Sequence, residues 1–251
     1  MNPAISTELF KLRTTRAPWA VAAVPGVLAA AILALNAALL GRPGQPELVP
    51  AVLGDLARAP GRLAGAAALL LGLLMSTAEY RHSTALTTRL GQPRPAGLVL
   101  AKAAAAALAG AAVALAVELV TVGGGAVMLS VRGAAVEPAA HGVPAAVAGI
   151  VLVAALHGIA GVGIGEALRN PALAVGVVFG WAFVVEGVLP VVLRDPDAAR
   201  WLPTGAIRSA LSIGATHEEA LLVPWAGLLV LTAYAGGLLL VGLGRATRSD
   251  A

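Results

Sequence analysis

Long apolar runs, separated by short polar segments, dominate the pattern of this chain. The first run, residues 19–40, contains no charged side chain. A helix of about 20 apolar residues, with a rise of 1.5 Å per residue, crosses the roughly 30 Å hydrocarbon core of a membrane. By this criterion the sequence predicts six membrane spans, at about 19–40, 61–78, 100–131, 143–166, 171–193 and 221–244.

The spacing of these runs predicts one all-α polytopic membrane domain over residues 1–251. The chain is 59% hydrophobic and 12% charged, whereas soluble domains are about 25% charged. Six spans leave no room for a soluble catalytic domain. The sequence also lacks the phosphate-loop motif G-x-x-x-x-G-K-[ST], so we do not expect an enzyme that hydrolyses ATP by that route.

Basic residues predict the orientation of the spans. With the N-terminus inside, ten of the 17 Lys and Arg residues fall on the cytoplasmic side and seven on the outside. Cytoplasmic loops carry the excess of Lys and Arg, so both termini are expected inside a cytoplasmic, multi-pass bacterial membrane. The basic balance is interpreted as membrane anchoring, with no nucleic-acid partner. Cysteine is absent, which excludes disulfides and thiolate metal sites.

Residues 3–16, before the first span, carry a helical pattern. Ile5, Leu9 and Leu12 recur at four- and three-residue spacing, and basic side chains lie between and after them. This pattern is typical of a short amphipathic helix on the inner leaflet. The alternative is an ordinary polar tail with basic residues that remain inside.

The most polar internal segment joins the second and third spans. Residues 79–90 read E-Y-R-H-S-T-A-L-T-T-R-L and are followed by G-Q-P-R-P-A-G. The residues favour a short helix at the inner membrane surface that ends at the glycine and proline. Two interpretations stay open: a docking helix for a cytoplasmic partner, or a solvated connector.

This segment resembles a known family. E-Y-R-H-S-T, then T-T-R-L, P-R-P and Lys102 are similar to the loop of ATP-binding-cassette permeases of the second, drug-efflux and polysaccharide-export type. The N-terminal E-L-F-K-L-R-T-T-R-A-P-W also resembles this family, and R-W-L-P-T-G-A is similar to its actinobacterial members. Ser83 stands where glycine is common in the family.

The resemblance implies an exporter subunit for an amphipathic drug, antibiotic, peptide or lipid. It implies a separate ATPase subunit that binds ATP and magnesium, a second permease copy, and no cofactor on this chain. The 194–220 loop is expected to fold partly back into the outer leaflet over 204–215. The residues implied to couple to the ATPase are Glu79, Tyr80, Arg81, His82, Ser83, Thr84, Thr87, Thr88 and Arg89.

Two carboxylates, Glu118 and Glu186, fall at matched depth in the outer half of the third and fifth spans. Ionisable groups at such depth normally face the bundle or a water-filled path. They are candidates for a substrate route or a shared proton, and the alternative is hydration at the outer interface. His157 is grouped with them, although its expected role is packing through a hydrogen bond rather than binding a metal.

Other polar residues help to decide between the alternative functions of this chain. Glu166 is expected to pair with Arg169, three residues later. No pair of histidine motifs predicts a metal site. A proton-coupled secondary transporter, using Glu118 and Glu186, and an intramembrane enzyme are kept as alternative functions. Small-residue pairs such as Gly161 with Gly165 and Gly176 with Gly180 are taken as signs of close helix packing.

Overall fold

A computed structural model describes residues 3–39, 50–58, 60–81, 95–139, 141–211 and 222–248. These residues form α-helices, two π-helical turns and a 3-10 helix, Pro196–Trp201, and the described ranges contain no β-strand. In chain order, the α-helices are α1 (Pro3–Thr14), α2 (Arg16–Leu39), α3 (Val52–Arg58), α4 (Gly61–Arg81), α5 (Pro95–Glu118), α6 (Gly124–Val131), α7 (Val143–Leu168), α8 (Pro171–Phe179), α9 (Glu186–Leu193), α10 (Pro203–Leu211) and α11 (Pro224–Arg248).

Among the described residues, six helical stretches are long and apolar enough to cross a membrane, as many as the sequence predicts. The third stretch runs from Pro95 to Val131 and joins α5 to α6 through a π-helical turn, Leu119–Gly123. The fifth joins α8 to α9 through a second π-helical turn, Gly180–Val185. Hydropathy does not distinguish α- from π-helical turns, so the sequence could not predict either interruption.

The centre of the bundle is built from α4, α5, α7 and α11, with α7 packed against the other three. Its core is rich in alanine, including Ala64, Ala68 and Ala154 around Ile150 and Val153. Small side chains let helix backbones approach closely, which is how helices associate where lipid removes the hydrophobic drive between them.

Glycines set the closest approaches in this centre. A Cβ on Gly158 would lie 2.5 Å from the carbonyl oxygen of Ala106, and one on Gly163 would lie 2.5 Å from the carbonyl carbon of Leu238. Gly161 and Gly165, one of the predicted pairs, face α4 in the same way. The predicted pair Gly176 and Gly180 differs, because added Cβ atoms there would enter open space.

The first and fifth spans lie at the edge of the bundle. In their most apolar windows, 11% and 6% of residues are buried, against 61% in the second span and 50% in the fourth. Phe179 and Phe183 stack on this exposed fifth span with ring centroids 5.8 Å apart. The described part of the chain therefore leaves two apolar spans open to lipid or to another protein.

Two short helices, α3 and α10, pack onto the core. The helix α3 buries Leu53 and Leu56 beside Leu129 and Val143, and its position was missed because seven residues give too short a pattern. The helix α10 buries Ala206 and Ala210 in the central cluster. It covers the first part of the 204–215 stretch, and the rest of that stretch lies outside the described residues.

Candidate functional site

A chain of charged side chains crosses the bundle at the end where α4 finishes. The Lys102 Nζ atom lies 2.8 Å from the Glu79 carboxylate and 3.0 Å from the Glu166 carboxylate. The Lys11 Nζ atom lies 2.8 Å from the other Glu79 oxygen and 2.6 Å from Glu8. We call these five residues, with Tyr80 and Arg169, the charge network.

The helices that carry the charge network meet at the end of the bundle where α4 finishes. Glu8 and Lys11 lie on α1, which packs against α5. Glu79 closes α4, Lys102 lies in the second turn of α5, and Glu166 lies in the last turn of α7. The network therefore joins the N-terminal helix to three spans.

Burial raises the energetic cost of leaving any of these charged groups unpaired. Lys102 is 1% exposed and Glu166 is 2% exposed. The space between Glu79, Lys102 and Glu166 is only about 10 Å³, no more than one water requires. A buried lysine without carboxylate partners would carry a desolvation penalty of several kcal/mol, on the order of that for any buried ion. Lys102 avoids this penalty because it has two such partners.

Lys11 marks the half-buried edge of the charge network. Burial disfavours its ammonium, but hydrogen bonds to Glu79 and Glu8 outweigh that effect and hold the pKa of Lys11 above its ordinary value of 10.5. The pairing of Lys11 with Glu79 spans 68 positions of sequence. It connects α1 to the helix that leads into the 82–94 segment.

Glu166 does not take the partner expected from its neighbours in sequence. Its carboxylate accepts hydrogen bonds from Lys102 and, at 2.8 Å, from the Tyr80 hydroxyl. The guanidinium of Arg169, the expected partner, lies 5.2 Å from the centre of the Tyr80 ring and donates to the Arg245 carbonyl at 3.0 Å. The i, i+3 rule failed because Lys102, distant in sequence, occupies the place beside Glu166.

The backbone at Arg169 has a conformation that normally favours glycine. Arg169 ends α7 with φ of 56°, in the left-handed region. Most helices that end this way use glycine, which avoids the Cβ clash. The next residue, Asn170, caps α8 by accepting hydrogen bonds from the backbone amides of Ala172 and Leu173. The Arg169 side chain at this turn contacts the Tyr80 ring and donates to the Arg245 carbonyl.

The side chains of two predicted coupling residues, Glu79 and Tyr80, are described. Both residues lie in the last turn of α4 and belong to the charge network. For Arg81, the last residue of α4, only the backbone is described. The remaining candidates of this segment lie outside the described residues: His82, Ser83, Thr84, Thr87, Thr88 and Arg89. A helix over 82–90 therefore stays a prediction.

Glu118, at the far end of α5, has an environment opposite to that of Lys102. Its side chain is 3% exposed, and neither carboxylate oxygen has a hydrogen-bond partner among the described residues. The hydroxyl of Thr121 donates to the carbonyls of Val117 at 3.1 Å and Glu118 at 3.4 Å. Glu118 directly precedes the π-helical turn of the third span, a kind of interruption that often accompanies functional sites.

Glu186 differs from Glu118 in both exposure and partner. It is half-buried and accepts a hydrogen bond at 2.9 Å from the backbone amide of Thr204. Thr204 lies in the first turn of α10, where unpaired amides favour a carboxylate. The carboxylate thus links the fifth span to α10. Glu186 follows the second π-helical turn, as Glu118 precedes the first.

His157 lies within α7, where its Nδ1 atom is 2.8 Å from the Val153 carbonyl oxygen, one turn earlier. Its ring also packs near Gly65 of α4. Among the described residues, no group of three His, Asp or Glu side chains is arranged to hold a metal ion. His157 thus makes the type of hydrogen bond expected of a packing residue.

Comparison with known proteins gives no family for the chain. No protein-family model and no curated protein matches it.

Proposed function

We propose that this chain is the membrane-spanning permease subunit of an ATP-driven exporter in a bacterial cytoplasmic membrane. In this proposal a separate ATPase subunit binds beneath residues 79–90, and a second permease copy completes the pathway. The motif E-Y-R-H-S-T supports the assignment through its resemblance to the permease family. The substrate would be amphipathic, in keeping with the apolar spans.

The observation that carries this proposal is the position of Glu79. It is the first residue of the resembling motif, and its carboxylate contacts lysines from both α1 and α5. A segment that receives force from an ATPase can move a bundle only if its base is attached to several helices. The charge network attaches Glu79 to α1 and α5, and through Lys102 to α7 as well.

The exposed first and fifth spans support the proposed second copy. Both are apolar and little buried within one chain, and Gly176 and Gly180 border open space on the fifth span. A partner helix approaching there would meet no side chain at either position.

An ATPase screen tests this assignment. The chain would be co-expressed with any ATPase encoded by a neighbouring gene, the purified proteins would be reconstituted in vesicles, and amphipathic compounds would be tested for stimulation of ATP hydrolysis. We expect a stable complex and at least one stimulating compound that is transported only with ATP. Failure of any such ATPase to co-purify would contradict the proposal.

Glu118 favours one second candidate, a proton-coupled secondary transporter. A buried carboxylate without a hydrogen-bond partner is costly in a membrane and usually has a function. The same vesicles separate the two candidates. Transport driven by an imposed proton gradient without ATP, and abolished by a protonophore, would replace the exporter proposal with this one.

Orientation is tested independently of transport. The chain contains no cysteine, so single cysteines at Ser83, Thr204 and Ser249 would report accessibility without background. If both termini lie inside, an impermeant thiol reagent added to whole cells labels only position 204. Labelling at position 83 would reverse the orientation.

A further inference from the structure

A groove between the ends of α7 and α11 gathers positive charge without a carboxylate in its lining. It has a volume of about 770 Å³ and is lined by Arg169, Leu240, Val241, Gly244, Arg245 and Arg248, with Ala167 at its edge. We call it the arginine groove. It lies at the same end of the bundle as the charge network, since Arg169 contacts Tyr80.

We propose that the arginine groove binds the headgroup of an anionic phospholipid of the surrounding membrane. This proposal does not rest on the exporter assignment, because it concerns the lipid contact of this chain alone. It depends on three features: charge, apolar lining and space.

Two of the three arginines that line the groove are not offset by a described carboxylate. Arg245 and Arg248 are exposed and make no ion pair with any described residue. A phosphodiester can accept the several donors of adjacent guanidinium groups, which is the recognition that arginine provides best.

A hydrogen bond from Arg169 ties the end of α7 to the last turn of α11. The Arg169 guanidinium donates to the Arg245 carbonyl at 3.0 Å and is held over the Tyr80 ring. This contact places Arg169 beside the turn that carries Arg245 and Arg248, so all three arginines line one groove. Basic residues in a last helical turn also interact favourably with the helix dipole, but that alone needs neither a groove nor an apolar wall.

The apolar wall indicates a lipid rather than a soluble anion. Leu240 is 69% exposed and Val241 is 60% exposed, one turn before Arg245 on α11. A dissolved phosphate would gain nothing from these side chains, whereas the upper acyl chain of a phospholipid would cover them. Basic pockets between spans that border the headgroup region are known to take anionic headgroups.

The arginine groove has open space at Gly244. A Cβ added at this position meets no atom within 4 Å, although the residue lies between Val241 and Arg245 on the groove side of α11. Replacing Gly244 by leucine would add bulk to the groove without removing charge, and its Cβ would meet no atom of the fold. This variant separates shape from charge in the test.

Native mass spectrometry of the purified, delipidated chain tests the proposal with phosphatidylglycerol as the probe. We expect phosphatidylglycerol to bind more tightly than phosphatidylcholine of identical acyl chains. The double variant Arg245→Gln/Arg248→Gln should bind it about tenfold more weakly or worse, and Gly244→Leu should also weaken it. Arg62→Gln, an exposed arginine at the opposite end of α4, is the matched control and should bind as the parent does.

Three results would overturn the proposal. Equal binding of phosphatidylglycerol and phosphatidylcholine to the parent would show that the headgroup charge is not read. Loss of binding in Arg62→Gln as large as in the double variant would show diffuse electrostatic attraction. Displacement of phosphatidylglycerol by equimolar inorganic phosphate would assign the groove to a free anion instead of a lipid. Thermal unfolding of every variant verifies that it is folded.

Discussion

The two ends of α5 bury charge in opposite ways. Lys102, near its beginning, has two carboxylate partners within 3.0 Å. Glu118, sixteen positions later and about 24 Å along the helix, has no hydrogen-bond partner among the described residues. One end therefore resembles a structural joint, in which charge is compensated. The other end keeps a buried carboxyl group with no such compensation among the described residues.

The largest predicted effect is the loss of stability when Lys102, at the compensated end of α5, is replaced. Replacing Lys102 by methionine keeps the volume but leaves Glu166 and one Glu79 oxygen without their cation. Removing one partner of a buried ion pair costs about 3–5 kcal/mol. Thermal unfolding of the purified protein should therefore show a midpoint several degrees lower than that of the parent.

A double-mutant cycle controls the Lys102 prediction. Combining Lys102→Met with Glu166→Met removes both charges of one pair, so the combined loss should be smaller than the sum of the single losses. Additive losses would mean that the two side chains do not interact as their 3.0 Å separation indicates.

Replacing Glu118 by methionine should change the unfolding midpoint in the opposite direction. Since this carboxylate has no hydrogen bond to lose, removing it relieves a desolvation cost of about 1–3 kcal/mol. The unfolding midpoint should rise, while Glu166→Met should lower it. If Glu118→Met destabilises the purified chain, the carboxylate has a partner in the fold and the contrast between the two ends fails.

The sequence alone predicted the buried carboxylate at the Glu118 end of α5 but not the ion pairs at the Lys102 end. The apolar runs predicted six spans because hydropathy depends only on composition over about 20 residues. Glu118 was found because a single acid interrupts such a run. The charge network was missed because its pairs join Lys102 to Glu79 and Glu166, 23 and 64 positions away, and no local spacing rule spans that distance.

A usable signal was nevertheless present. Glu79, Lys102 and Glu166 all lie at the same predicted end of their spans, beside apolar turns. In an alternating bundle, opposite charges at one end are candidates to pair. Which of them meet depends on helix rotation, which the alanine and glycine contacts of α4, α5 and α7 determine.

Lys11 gives the smallest predicted effect on stability. Its side chain is 40% exposed, and exposed ion pairs contribute only about 0–1 kcal/mol. Lys11→Met should thus lower the unfolding midpoint slightly at neutral pH, less than Lys102→Met does.

The pH dependence of Lys11 sharpens this expectation. Because the pKa of Lys11 is raised on folding, its contribution is complete below the unfolded value of 10.5 and is lost as pH rises through the folded value. The difference in midpoint between parent and Lys11→Met should shrink above about pH 10.5. A difference that stays constant into stronger alkali would show that the ammonium does not carry the contact.

The central claim is that the joint at Glu79 transmits the ATPase cycle to the spans. It is tested most directly by ATP hydrolysis of the reconstituted complex, with and without the stimulating compound. In Glu79→Lys and in a Gly-Gly insertion after Thr84, we predict an assembled or weakened complex whose hydrolysis no longer responds to the compound. Arg62→Glu, the charge reversal at the opposite end of α4, should respond as the parent does. Normal stimulation and transport in both altered complexes would contradict the account, and residues 79–90 would then be only a connector.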